Sequence, residues 1–275
     1  RLIIGLLVGG ALAIAGAVMQ GVFSNPLADP GIMGVSAGAS LGAVIAIALG
    51  VTSLGMFYMP AFAFVGAFVS VGITILLTWR NNKLDTTTLL LAGVAVSMLL
   101  GAFTSGILTM INEYRLREFL FWMVGGLDYR RWDHVLLAVG PIMTGSVILM
   151  MLGRHLNVLV LGDTEARALG LLVMVYRMLF LFLASVVTAT AVCVSGSIGF
   201  VGLVVPHIVR ILVGPDHRIL LPMAGVGGAL FLVFCDTLGR VIAQPVEIRV
   251  GIMTALLGAP YFLYLLHRLR RKGGA

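Results

Sequence analysis

Read for apolar runs, the chain divides into long uncharged stretches separated by short polar turns. Residues 2–22 form one such run, and residues 31–79 contain no charged residue at all. A membrane-crossing helix needs about 20 apolar residues, so 31–79 is too long for one helix. The turn-like stretch ending at Pro60 divides it into 31–50 and 58–79. Further runs lie at 86–111, 135–153, 172–194 (with Arg177 near its start), 219–239 and 250–267, and a short one at 198–213 is broken by Pro206. The pattern predicts an all-α polytopic transmembrane bundle with nine helices, forming a single domain over residues 1–275.

Composition agrees with the pattern. The chain has 275 residues, of which 60% are hydrophobic and 11% charged. Soluble domains carry about 25% charged residues. The net charge of +7 comes from arginines and lysines placed between apolar runs rather than along one face. These are orienting loop charges, not a nucleic-acid surface. Placing the basic C-terminus (Arg268, Arg270, Arg271, Lys272) in the cytoplasm puts eleven basic residues inside, including those near Arg80, Lys83, Arg154 and Arg210, and seven outside. Arg1, residues 112–133 and Arg249 then face out. Cys193 and Cys235 sit in apolar runs and read as buried thiols. The opening residue is Arg1 and no signal peptide is visible, which leads us to expect a missing upstream part.

Small residues recur at every fourth position in Gly34–Gly38–Gly42 and Gly5–Gly9–Ala13. Such ridges let helices approach closely within lipid. The sequence FSNPLADPG at 23–31 reads as a helix–helix turn, with Pro30 suited to a first helical turn. LGDTEARALG at 161–170 reads as a short amphipathic helix, capped by Asp163 or Thr164 and closed by Gly170. Ala166 and Leu169 share one side, away from Glu165 and Arg167. The helix could lie on the membrane, dock into a partner or simply connect two spans. His207 and His217 have no Cys or Glu beside them and form a weak metal pair, so helix-end or loop histidines are the better reading. Asp236 and Arg240 stand four apart and can pair on one helical face or serve docking. No phosphate-binding loop, carboxylate pair or nucleophile elbow is present, so any ATP hydrolysis must come from another subunit.

Five stretches in order resemble the FecCD family of ATP-binding-cassette permeases. They are residues 10–43 (GALAIAGAVMQGVFSNPLADPGIMGVSAGASLGA), 121–132 (FWMVGGLDYRRW), 156–170, 195–222 and 246–266. The resemblance implies a ten-helix permease fold whose first helix is absent here. It also implies a homodimer, two cytoplasmic ATPase subunits, a periplasmic binding protein, and an inner-membrane location. The implied cargo is an iron–siderophore chelate, haem or cobalamin, moved by alternating access without a cofactor. By the same resemblance, residues 154–171 form the coupling segment. Leu161, Gly162, Asp163, Glu165, Ala166, Arg167, Leu169 and Gly170 make the ATPase contact, where bulky residues at Gly162 and Ala166 are expected to uncouple hydrolysis while sparing the fold. Arg1 and Arg240 match family arginines that meet acidic residues of the binding protein. The span at 86–111 matches the pathway-lining helix, giving Thr88, Ser97, Thr104, Ser105 and Met110 as mild wall residues. An ion-coupled secondary transporter is the alternative. It would require ionisable groups near the midplane, and 31–79 and 86–111 have none.

Overall fold

The computed structural model describes residues 1–79 and 85–272, with side chains described through Leu265 and at His267. Arg80 and Lys83 lie outside the described residues, as do the side chains of Arg268, Arg270, Arg271 and Lys272. Every regular element among the described residues is helical. Six helices are long and apolar enough to cross a membrane: α1 (Leu2–Val22), α3 (Tyr58–Thr78), α4 (Thr86–Leu108), α6 (Trp132–Met151), α9 (Val173–Ser195) and α11 (His217–Ile242). The protein is therefore multi-pass. Three shorter apolar helices accompany them: α2 (Val35–Leu49), α10 (Val201–Val213) and α12 (Val250–Lys272), the last apolar through Leu265. The remaining helices are polar connectors: α5 (Glu113–Met123), α7 (Gly153–Val160) and α8 (Asp163–Ala168).

Two of the expected spans are shorter than their apolar runs, for local reasons. The run at 31–50 opens with a 3-10 turn, Pro30–Met33, rather than with α2. Asp29 accepts the Gly31 amide at 2.7 Å, and Gly34 takes φ +82, which breaks the helix before it restarts at Val35. Gly34 therefore belongs to the turn and not to a helical ridge. The run at 198–213 becomes α10 only from Val201, after a left-handed Phe200.

Helices α1 and α9 form the centre. Most of each apolar window is buried, whereas a third or less of the window is buried in α3, α4 and α6. Helix α1 packs against α11, α9 and α10, and α2 packs against α3. Bare backbones meet at these crossings. A Cβ added at Gly9 would fall on the Gly228 carbonyl oxygen, and one at Gly38 on that of Gly66. The Gly9–Ala13 ridge thus receives α11, and Gly38–Gly42 receives α3, as the spacing predicted.

Helices α1 and α10 also cross closely, and a Cβ at Gly16 would fall on the Gly202 carbonyl oxygen. A carbonyl cannot swing away as a flexible side chain can. Gly16→Ala is therefore expected to destabilise the protein by about 1–3 kcal/mol, the usual cost of overpacking. Gly72→Ala, where nothing lies within 4 Å, serves as the neutral control. Thermal midpoints of the detergent-solubilised variants check this, and equal midpoints would refute the crossing.

Candidate functional site

The chemistry gathers at the two ends of the bundle, one marked by Arg1 and the other by α8. At the Arg1 end, one arginine gathers three acidic residues from separate segments. The Arg1 guanidinium lies 2.8 Å from Asp128, 2.9 Å from Asp236 and 2.8 Å from Glu247. Asp236 is 7% exposed and is held on its other side by Arg240 at 3.4 Å. The intrahelical Asp236–Arg240 pair anticipated by their spacing exists, but Asp236 is shared. Arg249 completes the group, lying over the Phe121 ring at 4.5 Å and donating to the Phe121 carbonyl at 2.5 Å. Beside the cluster an open cavity of about 980 Å³ is lined by Arg1, Tyr114, Arg117, Tyr129, Glu247 and Arg249, among others.

One arm of the clamp responds to pH. Hydrogen bonding from Arg1 is the main cause that holds the Glu247 carboxyl below its ordinary value of 4.5. A carboxylate with a lowered pKa contributes fully above the unfolded value and loses that contribution as pH falls through the folded one. The Glu247 contribution to the clamp therefore falls away as the medium turns acid. Of the two arginines that hold Asp236, Arg1 is the more enclosed, with 27% of its side chain exposed against 43% for Arg240.

At the opposite end, α7 and α8 fold as two short helices, α7 packed on α1 and α11 and α8 on α7 and α9. Helix α8 closes with two C-terminal bonds: Gly170 N–H to Arg167 O at 2.9 Å, and Leu171 N–H to Ala166 O at 2.9 Å. Gly170 supplies the positive φ (+82) that this motif requires. The closing role expected of Gly170 is thus observed, but the N-terminal cap is not. Gly162 occupies the N-cap position without a side-chain bond, and the Asp163 carboxylate instead reaches Arg177 on α9.

The amphipathic reading also changes. Ala166 is fully buried, whereas Leu169 is 65% exposed, with Leu161 at 59% and Leu172 at 67%. Ala166 therefore seats the helix, whose own outward residues are Thr164, Glu165, Arg167 and Ala168, and exposed leucines flank it on both sides. Gly162 has φ +115, and a Cβ there would lie 2.6 Å from the Glu165 carboxylate. Bulky residues at Gly162 and Ala166 would strain the fold itself, contrary to the expectation that such changes leave it intact.

Next to Leu161 lies a largely apolar cavity of about 530 Å³, bordered by polar groups of Gln20, Asn25, Asn157, Arg210 and Asp216. Pro206 explains part of it. A proline cannot donate to the carbonyl four residues back, which leaves the Gly202 oxygen without its helical partner. The buried Gln20 amide on α1 lies 3.4 Å from that oxygen and donates to Leu203 O at 3.2 Å, while its own carbonyl accepts from Arg210 at 2.8 Å. In lipid an unmet backbone carbonyl is costly, so a side chain from the neighbouring helix fills the gap. His217 is tied in similarly. Its backbone and ring Nδ1 both donate to the Asn157 side-chain carbonyl, at 2.9 and 2.8 Å, and Asn157 donates on to Asp216 at 2.6 Å. His207 lies elsewhere, with its ring 6.2 Å from that of Tyr261.

The wall residues of α4 divide by face. Ser105 and Met110 are exposed, and Ser97 is half-buried beside the Gly34 turn. Thr104 is buried and donates to Leu100 O at 2.9 Å, so it points into the bundle rather than onto an exposed wall. Thr88 donates to the Asp85 carboxylate at 2.6 Å and so belongs to the helix cap.

Comparison with known proteins places these two ends in a family. Residues 1–268 match the model of the FecCD transport family. The chain is 48% identical to the cobalamin import system permease protein BtuC of Halobacterium salinarum, over 97% of this chain and 71% of that one. It is 43% identical to the hemin transport system permease protein HmuU of Yersinia pestis, over 99% and 82%. A solved inward-facing structure of a metal-chelate type ABC transporter superposes with a TM-score of 0.91 at 34% identity, covering 98% of this chain and 85% of that one. The chain belongs to the FecCD transport family, and it is a transport permease rather than an enzyme.

Proposed function

We propose that the protein is the membrane-spanning subunit of an ATP-binding-cassette importer for an iron chelate, haem or cobalamin, working by alternating access. The observation that supports this most directly is α8, a short helix flanked by the exposed Leu161 and Leu169 on a chain without a nucleotide-binding motif. The relatives, named as permeases of cobalamin and hemin import, favour this reading over an ion-coupled transporter. We read the six long apolar helices and the three shorter ones as nine passages of a ten-helix fold, in a bacterial inner membrane. The permease works as a homodimer. Two ATPases bind at the α8 end, and a binding protein docks on Arg1 and Arg240 at the other. Residues 154–171 act as the coupling segment, with Leu161 and Leu169 in contact and Gly162, Ala166 and Gly170 setting its shape. The exposed face of α4, including Ser105, borders the pathway. Its apolar character suits a large cargo held mainly by the binding protein.

Uptake into inside-defined vesicles tests the function. Import is expected only when the ATPase, ATP and a loaded binding protein are all present, and the ligand that co-purifies with the binding protein names the cargo. Import driven by a proton or sodium gradient alone would reject the proposal. The sidedness has its own check. Single cysteines at Asp85 and Asp133 occupy exposed positions at opposite ends, and both native cysteines are buried. A membrane-impermeant maleimide should label the Asp133 variant from outside and the Asp85 variant only from the cytoplasm. The reverse result inverts the topology.

A further inference from the structure

We propose that the ion pair between Asp163 and Arg177 is the strut that passes motion from α8 into the bundle, which makes Arg177 a positioning residue for transport. This rests on α8 being the ATPase contact. The Arg177 guanidinium grips both Asp163 oxygens, with Nη2 at 2.5 Å and Nη1 at 3.3 Å. The side chain of Arg177 is 7% exposed and that of Asp163 is 43% exposed. The pair therefore runs from the surface helix inward. Asp163 supplies a counter-charge at hydrogen-bond distance to this covered guanidinium, which favours a closed pair. A two-pronged contact also resists rotation as well as separation, unlike a single point contact. Arg167, the other cation near Asp163, stands 3.9 Å away and is 58% exposed, so it cannot replace this grip.

The surrounding geometry concentrates force on this contact. Both chain connections of α8 run through left-handed glycines, Gly162 at φ +115 and Gly170 at φ +82. Its side-chain anchors are the buried Ala166 and the Asp163 pair. The residue next to Arg177 on the same helix, Tyr176, stacks on His155 of α7 with ring centroids 4.4 Å apart and planes 13° from parallel. Two adjacent residues at the start of α9 thus hold α7 and α8 respectively. Helix α9 then packs against α1, α6 and α3. Most of its apolar window is buried. A displacement of α8 that enters at Arg177 therefore reaches the centre of the protein and not its rim. Closely packed helices pass such a shift on as a body rather than absorbing it.

The test uses the permease assembled with its ATPase in proteoliposomes, with a single reporter cysteine at Ser105 on the exposed face of α4. The readout is the change in maleimide labelling rate on adding ATP and vanadate. Arg177→Gln is expected to retain co-purifying ATPase while the ATP-dependent change falls about tenfold. Arg177→Lys keeps the charge but loses the fork, and it should give an intermediate response. Its retained charge also makes it the usable variant if Arg177→Gln fails to fold. The exchange Asp163→Arg with Arg177→Asp should recover part of the response. An undiminished response in Arg177→Gln or Arg177→Lys overturns the proposal. So does a response that falls only in proportion to the ATPase retained, because the pair is then merely structural. The reading of α8 as the contact fails separately, if charged residues at the flanking Leu161 and Leu169 leave ATPase binding intact.

Discussion

Replacing Leu161 and Leu169 with aspartate is expected to abolish stable association with the ATPase while leaving the permease folded. Both side chains already face solvent, at 59% and 65% exposure, so the change removes no core contact. Full burial of a leucine against a partner stabilises by about 1.5–3 kcal/mol. Two such losses, together with the cost of desolvating two carboxylates, weaken association by at least about a hundredfold. Co-purification of the ATPase measures the association, and the thermal midpoint of the permease monitors the fold. Bulky residues at Gly162 and Ala166 make a poorer probe. Ala166 is fully buried and Gly162 needs its positive φ, so lost coupling in those variants would be confounded with lost structure. If the double aspartate variant still holds the ATPase, α8 is a connector and the contact lies elsewhere.

The apolar runs made the long helices legible because period and length leave little choice in lipid. An uncharged run of 20 residues that must satisfy its own backbone forms a helix. Helix α5 was missed because it is not such a run. Glu113, Arg115, Arg117 and Glu118 interrupt it, so the stretch reads as a long outer loop. The available signals were Asn112, whose side chain accepts the Arg115 amide, and Phe119 with Trp122, which are buried three residues apart. The capping of α8 was misread for a different reason. An aspartate ahead of a short helix is a good cap by local chemistry, but a buried arginine fourteen residues on competes for it and wins. The Arg1 cluster was half legible. The family resemblance pointed to Arg1 and Arg240, yet nothing in the local sequence joins Arg1 to Asp128 or Glu247, which lie more than a hundred residues away. The bond from Gln20 to the turn that Pro206 opens likewise needs α1 and α10 to be known as neighbours.

Arg240→Glu is expected to weaken docking of the binding protein by about tenfold or more, and to make the remaining association less dependent on salt. The magnitude follows from the location of the charge. A close charge pair across a formed interface is worth about 1.5 kcal/mol or more, which is a factor of at least about ten. Against this stands the reading in which Arg240 only serves Asp236. That pair measures 3.4 Å, with Arg240 43% exposed, and exposed helix pairs contribute only about 0.3–0.5 kcal/mol. Arg1 holds the same carboxylate more closely, at 2.9 Å through Nη2. Asp236 therefore remains paired when Arg240 turns to a partner, so docking need not uncover a buried charge. Arg1 lacks this freedom, because reversing it would place a negative charge among Asp128, Asp236 and Glu247 and disrupt the clamp itself. Arg240 is thus the position where docking and folding separate. The measurement is the dissociation constant of the binding protein on reconstituted permease across a range of salt concentrations, with thermal stability recorded in parallel. An acidic-to-lysine change on the partner should restore affinity to Arg240→Glu but not to Arg1→Glu. If Arg240→Glu lowers the thermal midpoint and leaves the dissociation constant unchanged, the arginine serves only its own helix.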